Sequence, residues 1–193
     1  MNKSRFVILT LLLGLAACQS GPVSPPLAGA RMGGAFTLTN QDGIRVSDRE
    51  FAGKYRLIYF GYTFCPDVCP VDVQNLMAGF RAFEKAEPAL AARTQPIFIT
   101  VDPQRDTPAT LKQFVRAFHP RLMGLTGTPA EIAEVAKRYA VFYQKAAGDT
   151  PNAYLVDHSR SAILYGPDGG PIAIIPQDGP PDKIANELAR WIK

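Results

Sequence analysis

Two cysteines, Cys65 and Cys69, are separated by three residues, and this spacing is the strongest chemical signal in the 193-residue chain. They follow an apolar run, Tyr55–Phe60, that is typical of a buried strand. They precede apolar residues with the spacing of one helix face. The pair is therefore predicted to lie at a strand-to-helix turn, where backbone N–H groups and the helix dipole favour a thiolate at Cys69. At this spacing two sulfurs can form a disulfide or share one metal ion.

The apolar pattern predicts further strands and helices on both sides of this turn. Upstream, Phe36–Thr39 and Ile44–Val46 flank a polar turn and are predicted to form an N-terminal β-hairpin. Downstream, the pattern predicts a strand over Pro96–Val101, a helix that begins at Thr107 and a helix with a capping box at Thr128. A short strand over Val141–Gln144 is expected to form a hairpin with Tyr154–Val156 through a polar loop over 146–152. A second hairpin turns at Gly166–Gly170, and a final helix is predicted over Pro181–Lys193.

This order resembles that of a thioredoxin-like domain, an α/β fold with a central mixed sheet and helices on both faces. Right-handed crossovers make the two long strands parallel, so their carboxyl ends lie at one edge of the sheet. That edge is expected to hold residues 61–69 and 102–106. In such folds a loop before the later hairpin also lies against the reactive cysteine. Here that loop is Asp157–Ser159, which follows a predicted hairpin insertion.

Cys65, Cys69 and His158 are therefore the predicted constellation. Two thiolates and one imidazole suit copper, and their low number suits Cu(I), whereas a structural zinc site would need a fourth ligand. His158 taken alone would more often be a satisfied polar side chain in a loop, but the cysteine motif favours a ligand. The other histidine, His119, is predicted to sit at a helix end away from the cysteines, where its charge would be favourable.

Several residues near the predicted site each have two possible roles. Asp157 either orients the imidazole or serves a turn. Asp102, Arg105 and Asp106 stand where they could frame the site, although local pairing of Arg105 and capping of the next helix by Asp106 or Thr107 are the more ordinary roles. The aromatic residues that flank the cysteines, Tyr62 and Phe64, either pack in the core or offer one exposed ring to a partner.

The first 17 residues are expected to be a lipoprotein signal peptide. A positive start is followed by an apolar run, Phe6–Leu15, that is too short to span a membrane comfortably. Leu15–Cys18 matches the bacterial lipobox, which directs lipidation of Cys18 and cleavage just before it. The alternative is an ordinary secretory signal in which Cys18 is a stray thiol. We expect a signal peptide over 1–17, a lipidated and flexible Pro/Gly-rich tether over 18–33, and one domain over 34–193.

Charge and cysteine content narrow the class of protein. Removal of the leader with Lys3 and Arg5 lowers the formal charge from +4 to +2, and the chain has no basic run, so nucleic acid is not an expected partner. With Cys18 lipidated, Cys65 and Cys69 are the remaining thiols. Two cysteines in an exported protein would ordinarily form a structural disulfide, but their short spacing at a helix start favours redox or metal chemistry.

Three stretches, Phe60–Pro70, Val101–Pro108 and Tyr154–Ser159, together strongly resemble the Sco/SenC family, and the turn at Gly166–Gly169 is similar as well. The resemblance extends over residues 36–193 in matching order. It implies a thioredoxin fold that binds one copper ion per chain, as Cu(I) or Cu(II), through two cysteines and a histidine.

Cys65, Cys69 and His158 match those family ligands one for one. The family looks after the dinuclear copper site of cytochrome c oxidase, by delivering copper or by reducing the cysteines of that site. The resemblance thus implies the copper domain of oxidase subunit II as a partner, together with a periplasmic thiol reductant and, as a further candidate, another copper chaperone. Many members are held by a transmembrane helix, whereas the lipobox here predicts a membrane-anchored lipoprotein of the bacterial cell envelope with its domain in the periplasm.

Other functions remain open at this point. A copper chaperone and a thiol–disulfide reductase use the same dithiol, and His158 favours copper because a pure reductase does not need it. A copper or redox sensor would use the same site with another partner. A peroxiredoxin-like peroxidase is disfavoured, because Thr63 lies two residues before Cys65 rather than three and the usual preceding proline is missing.

Overall fold

A computed structural model of the chain describes residues 24–146 and 154–193. The expected signal peptide and Cys18 lie outside the described residues. So does most of the polar loop expected over 146–152. None of the helices within the described ranges is long and apolar enough to cross a membrane.

The described chain alternates strands and helices. The strands are β1 (Thr37–Asn40), β2 (Arg45–Ser47), β3 (Tyr55–Gly61), β4 (Thr94–Thr100), β5 (Met123–Thr126), β6 (Tyr143–Lys145), β7 (Val156–His158), β8 (Ala162–Tyr165) and β9 (Pro171–Ile175). The helices are α1 (Val68–Ala86), α2 (Pro88–Ala92), α3 (Pro108–Phe118), α4 (Pro129–Arg138) and α5 (Pro181–Trp191), and a 3-10 turn, Asp48–Phe51, follows β2.

Seven strands form one mixed sheet in the order β2-β1-β5-β4-β3-β8-β9. β4 lies between β3 and β5 and is parallel to both, whereas β8 pairs antiparallel with β3. Every residue of β3 is buried, as expected of a central strand with both faces covered. The α/β fold with a mixed sheet is confirmed, and the N-terminal hairpin is present as β1 and β2.

Alternation along β3 divides the core between the two faces of the sheet. Ile58 and Phe60 point to the side covered by α4, where they join Ile132 of that helix. Leu57 and Tyr59 point to the opposite side, which is covered by α1, α3 and α5. The sheet is therefore held rigidly from both faces, and its carboxyl edge is a stable platform for side chains.

Two predicted helix starts are confirmed by their caps. Thr107 accepts a hydrogen bond from the backbone N–H of Thr110 at the start of α3. Thr128 and Glu131 form the expected capping box at the start of α4, each side chain accepting from the other residue's backbone N–H.

Two elements, β5 and α2, were not predicted. β5 joins the N-terminal hairpin to the sheet, because it pairs with β4 on one side and β1 on the other. Its four residues include Gly124, which offers no strand propensity. A Cβ at Gly124 would lie 3.0 Å from the Val115 side chain, so the glycine lets α3 pack closely on the strand. β5 is therefore stabilised by its contacts with other elements and is not recognisable from its own four residues.

The segment expected to be a flexible tether packs on the domain from Leu27 onward. Leu27 N–H donates to the carbonyl of Ile172 at 3.0 Å, and Gly33 N–H donates to the carbonyl of Arg138 at 2.9 Å. The side chains of Leu27 and Met32 lie against the buried core. Any free tether is therefore shorter than residues 18–33, the range that composition suggested.

The expected hairpin insertion is a separate two-stranded sheet of β6 and β7. Tyr143 pairs with His158 and Lys145 pairs with Val156. His158 is therefore the last residue of a strand, not part of a loop as the sequence suggested. The ladder and Ser159, whose N–H donates to the carbonyl of Phe142 at 2.9 Å, together hold the histidine backbone in place.

Candidate metal centre

The two cysteines lie where the central strand leads into α1. Cys65 is half-buried in the connecting loop, and Cys69 is buried at the second position of the helix. Gly61 ends β3, and a Cβ there would lie 3.3 Å from Cys69 Sγ and 2.9 Å from the ring of Tyr59. The glycine therefore allows the Cys69 sulfur to sit against the end of the strand.

Backbone groups at the start of α1 point at Cys65 rather than Cys69. Cys65 and Cys69 are both free thiols, and Cys69 N–H donates to Cys65 Sγ at 3.5 Å. The backbone N–H groups of Asp67 and Val68, at the start of the same helix, also favour the thiolate form of Cys65. The sulfur of Cys65 thus occupies the positive end of the helix.

This arrangement gives the two thiols opposite acidities. Burial alone would raise the pKa of Cys65, but the backbone N–H groups outweigh it, so the pKa lies below that of an ordinary thiol. Burial raises the pKa of Cys69 well above the ordinary value. The sequence placed the favoured thiolate at Cys69 because that residue is in the first helical turn. That prediction was wrong, since the helix N-terminus serves the cysteine that precedes it.

His158 reaches the site from β7. Its Nε2 lies 3.1 Å from Cys69 Sγ, and its Nδ1 lies 3.0 Å from the backbone carbonyl of Ser159. The ring makes edge contacts with Tyr59 and Tyr62 at centroid distances of 6.3 and 5.9 Å. Burial lowers the pKa of His158, which favours the neutral imidazole. With Nδ1–H donating to Ser159, the Nε2 lone pair faces the cysteine.

Asp157 does not orient the imidazole. Its side chain is exposed, and the residue pairs with Gln144 in the two-stranded ladder. The carbonyl of Ser159 contacts the Nδ1 nitrogen instead. A backbone group can replace the carboxylate in this role, and nothing in residue types alone distinguishes the two.

A buried aspartate that was not predicted as a site residue, Asp72, lies next to the metal centre and contacts Tyr59 and Arg160. Asp72 is fully buried in α1 and accepts a hydrogen bond of 2.8 Å from the Tyr59 hydroxyl. Arg160 donates to both Asp72 oxygens, at 2.8 and 3.1 Å. Burial raises the pKa of Cys69, and the neighbouring Tyr59 opposes that shift. The sequence feature that could have indicated Asp72 is an acidic residue one turn after Cys69 on the apolar face of the helix.

The loop after β4 braces the cysteine loop. Asp106 is fully buried and accepts from the Thr63 hydroxyl at 2.6 Å, the Thr63 N–H at 3.0 Å and the Thr100 hydroxyl at 2.6 Å. Burial raises the pKa of Asp106, although these hydrogen bonds oppose the shift. The helix cap is Thr107, so Asp106 frames the site rather than capping α3.

Arg105 links the same loop to the strand that carries His158. It pairs with Asp102, as expected, and its Nη1 donates to the Tyr154 carbonyl at 3.0 Å. Its guanidinium lies 3.7 Å from the centroid of the Tyr154 ring and 5.0 Å from that of Phe64. Tyr154 also donates its hydroxyl to Asp102 at 2.8 Å. Arg105 is therefore a junction between the cysteine loop and the start of β7.

The two aromatic residues beside the cysteines have different environments. Tyr62 is buried, and its hydroxyl oxygen accepts from the N–H of Val156 at 3.2 Å. Phe64 is 51% exposed. A cleft of about 280 Å³ opens beside them, lined by Cys65, His158 and the half-exposed Leu155 among others. Partner-accessible apolar surface is thus present at the mouth of the site.

His119 plays a structural role. It is buried after α3, its Nε2 lies 2.9 Å from Glu84, and its Nδ1 accepts from the N–H of Arg121 at 3.1 Å. Burial lowers its pKa, although Glu84 opposes the shift. The expectation of a favourable histidine charge at this helix end was wrong, because both ring nitrogens are already engaged by neighbours.

Cys65, Cys69 and His158 provide the donor chemistry that copper prefers, namely two soft sulfurs and one imidazole nitrogen. Within the described residues no three histidine, cysteine or acidic side chains are already spread around a metal position. Cys69 Sγ and His158 Nε2 are in hydrogen-bond contact at 3.1 Å. A metal shared by sulfur and nitrogen at ordinary bond lengths would separate these atoms by about 3.8 Å. Cys69 and His158 would therefore have to move slightly apart to hold an ion between them, and Cys65 would supply the third donor.

A thioredoxin-like domain with a Cys-x-x-x-Cys turn and a facing histidine is the class of protein that this fold and site define. The chain belongs to the SCO1/SenC family, whose model matches residues 24–193. It is 39% identical over 180 residues to protein SenC of Rhodobacter capsulatus, covering 92% of this chain and 76% of that protein.

It is 45% identical over 136 residues to the mitochondrial SCO2 homolog of Bos taurus, covering 70% of this chain and 50% of that protein. The chain thus spans about half the length of that mitochondrial relative.

Solved structures agree with this assignment. ScoI of Bradyrhizobium japonicum with copper bound is 41% identical, with a TM-score of 0.75, and the match covers 83% of this chain and 99% of that one. BsSco, described as a Sco-family cytochrome c oxidase assembly protein with a disulfide switch, is 29% identical with a TM-score of 0.62, covering 87% and 94%. The thioredoxin domain of a thiol-disulfide oxidoreductase of Bacteroides vulgatus, at 18% identity and a TM-score of 0.57 over 84% and 96%, shares the fold.

The opposite acidities of the two thiols predict selective alkylation. Iodoacetamide should modify Cys65 first, because its sulfur is more exposed and its lowered pKa maintains thiolate below the pH at which an ordinary thiol ionises. Mass spectrometry of peptides after timed labelling from pH 5 to 9 measures this. Cys69→Ser should retain the fast phase and Cys65→Ser should lose it. Faster labelling of Cys69 would contradict the assignment.

Removal of Asp72 should destabilise the domain. Asp72→Ala leaves the buried Tyr59 hydroxyl without its acceptor, and we expect the free energy of unfolding to fall by about 1–3 kcal/mol. Urea denaturation followed by circular dichroism gives the value. Asp157→Ala, which removes an exposed acid beside His158, is the matched control and should change stability little. Equal effects of the two substitutions would show that the buried network of Asp72 does not stabilise the domain.

Proposed function

We propose that this protein is a copper-binding metallochaperone for assembly of the dinuclear copper site of cytochrome c oxidase. The proposal rests on the contact of His158 Nε2 with Cys69 Sγ at 3.1 Å. Cys65 lies at the start of the same helix, where its sulfur accepts from Cys69 N–H. A dithiol alone would serve redox chemistry, whereas an imidazole with its free nitrogen directed at the sulfur adds a copper ligand. Copper-bound ScoI, which shares this fold, supports the same cargo.

The acidity difference suggests an order for loading one copper ion. Cys65 is accessible and its lowered pKa favours thiolate, so it can take the ion first. Cys69 is buried, and its raised pKa keeps the proton until a metal displaces it. The neutral His158 then completes the site through Nε2. A thiol that binds copper as a thiolate gives up its proton, so loading becomes more favourable as the pH rises.

Transfer to a partner requires the ion to be reachable. Cys65 and the exposed Leu155 line an open cleft, and the exposed Phe64 precedes Cys65 in the chain. The copper domain of oxidase subunit II would dock there and exchange ligands with Cys65 first, because the other two donors are more deeply held. Another copper chaperone could load the protein through the same surface.

A second candidate function is thiol–disulfide reduction of the oxidase's copper cysteines. The asymmetric pair favours it: the Cys65 thiolate attacks a partner disulfide and releases one partner thiolate, forming a mixed disulfide. Cys69, after losing its proton, then attacks Cys65 Sγ and releases the second partner thiol. Two electrons pass to the partner, and Cys65 and Cys69 become a disulfide. A periplasmic thiol reductant must then restore the dithiol.

We also propose the placement of this domain in the cell. Residues 1–17 would be the signal peptide, Cys18 the lipidated residue, and the domain would stand in the periplasm of the bacterial envelope. The Leu15–Cys18 motif motivates this. A Sco/SenC-family lipoprotein of Bacillus anthracis, 26% identical with a TM-score of 0.69 over 88% of this chain and 98% of that one, provides a precedent for such an anchor.

The ligand set predicts distinct copper phenotypes. Reduced protein should bind one copper ion, and the Cys65→Ser/Cys69→Ser double variant should lose it. His158→Ala should weaken Cu(II) by more than about 100-fold, since even supporting residues of metal sites contribute 10–100-fold, while Cu(I) is held by the two thiolates. Metal analysis after dialysis and competition with chelators measure this. His119→Gln is the control histidine variant and should bind normally. Full retention of copper by the double variant would refute the site.

Copper delivery and thiol reduction predict different rescue of a deletion strain. Delivery predicts low cytochrome c oxidase activity when copper is scarce and partial rescue by added copper, since mass action can replace a carrier. Reduction predicts rescue by a membrane-permeant thiol but not by copper, because copper cannot reduce an oxidised receiving site. Oxidase activity across copper levels, with and without thiol, separates the two. Unchanged activity throughout would remove the oxidase from the account and favour a sensor.

The anchor proposal predicts a processing defect. Cys18→Ser should block cleavage by lipoprotein signal peptidase and leave a precursor that retains residues 1–17. Mass spectrometry of the membrane fraction gives the mass of the mature protein and of any attached lipid. A Cys18→Ser protein of unchanged mature mass in the periplasm would indicate an ordinary secretory signal.

A further inference from the structure

The first described residues dock at the end of the sheet that is opposite the cysteines. Leu27 N–H binds the carbonyl of Ile172, close to the start of β9. Gly33 adopts φ of +95°, and a Cβ there would lie 3.0 Å from the ring of Tyr165, so glycine lets this segment lie flat on the domain. Residues 27–33 are thus fixed to the domain.

The strand register places this docking site at the amino end of β3. Arg56, the second residue of β3, pairs with Tyr165, and Tyr165 pairs with Pro171 of β9. The loop before β3 is attached to the same turn, because Gly53 N–H donates to the carbonyl of Pro167 at 3.1 Å. The cysteine loop follows the other end of β3, which spans seven residues and therefore about 20 Å. We call these ends the anchor pole and the cysteine pole.

The short chain between Cys18 and the domain favours one orientation of the domain on the membrane. Eight residues, 19–26, separate Cys18 from Leu27, where packing on the domain begins. Nine peptide steps span at most about 30 Å when fully extended. A domain of about 170 residues has a radius of gyration of about 15 Å and a diameter near 40 Å. With the cysteine pole on the headgroups, the attachment at Leu27 would lie about 20–40 Å above them, so most of this chain would have to be extended along the side of the domain. With the anchor pole on the headgroups the chain needs no extension, so its conformational entropy favours that orientation.

We propose that the anchor pole faces the lipid surface and that the cysteine pole is presented away from it. The inference rests on the proposed lipid at Cys18 and deepens the proposed function. Exposed cations at the anchor pole, Arg31, Arg49 and Lys54, fit anionic headgroups, although Glu50 and Asp168 lie among them. The short chain rather than net charge sets the orientation. The partner must therefore carry its receiving site on a domain that projects from the membrane.

Energy transfer to a labelled bilayer tests the orientation. Lipidated protein in the Cys65→Ser/Cys69→Ser background receives one donor dye, at Lys54→Cys on the anchor pole or at Gln104→Cys on the cysteine pole. The vesicles contain phosphatidylethanolamine, phosphatidylglycerol and a rhodamine lipid. Transfer from Lys54→Cys should exceed that from Gln104→Cys by about two-fold or more, because the poles are separated by about 20 Å. Insertion of about twenty Gly/Ser residues after Gln19 should remove the difference, since such a linker adds more than 20 Å of reach.

The unmodified lipidated protein provides a second measurement. Hydrogen exchange with and without vesicles should show added protection over 166–172 and none over 64–69. Equal transfer from both dyes, or protection over 64–69, would overturn the orientation while leaving the anchor in place. Protein that carries no lipid on Cys18 and does not float with vesicles would overturn the anchor and this inference together.

Discussion

The contact between Cys69 Sγ and His158 Nε2, at 3.1 Å, is the interaction on which the account of this protein depends. It joins two parts of the chain that are 89 residues apart, one at the start of α1 and one at the end of β7. The contact is possible because Gly61 lets the cysteine sulfur approach the end of β3. The Ser159 carbonyl and two tyrosine rings fix the imidazole from the other side.

Around that contact, the fold gives two chemically identical side chains different properties. The helix N-terminus lowers the pKa of Cys65, and burial raises the pKa of Cys69. A metal carrier benefits because one ligand is available for capture and exchange while the other holds the ion more deeply. A dithiol reductant benefits from the same difference, with one attacking and one resolving sulfur. The two candidate functions are therefore two uses of one electrostatic arrangement, and the histidine separates them.

Much of this site can be predicted from local sequence, whereas the features that were missed depend on contacts between residues far apart in the chain. The strand-to-helix turn at the cysteines and the capping of α3 and α4 were predicted because their signals are short-range. β5 was missed because its four residues are stable only between two partner strands. The reversed acidities of the cysteines required knowledge of where Cys65 Sγ points, and spacing does not contain that. Asp72 was missed because a single acid on an apolar helix face has many uses, and its partners Tyr59 and Arg160 lie far away in sequence.

X-ray absorption at the copper edge of the loaded protein counts the atoms bound to the metal and so tests whether Cys65, Cys69 and His158 are its ligands. We expect two sulfur scatterers and one histidine nitrogen in the loaded protein, and loss of the histidine signal with both sulfurs retained when His158→Ala is loaded with Cu(I). A copper shell that is unchanged by His158→Ala, or one that contains no sulfur, would contradict this ligand assignment.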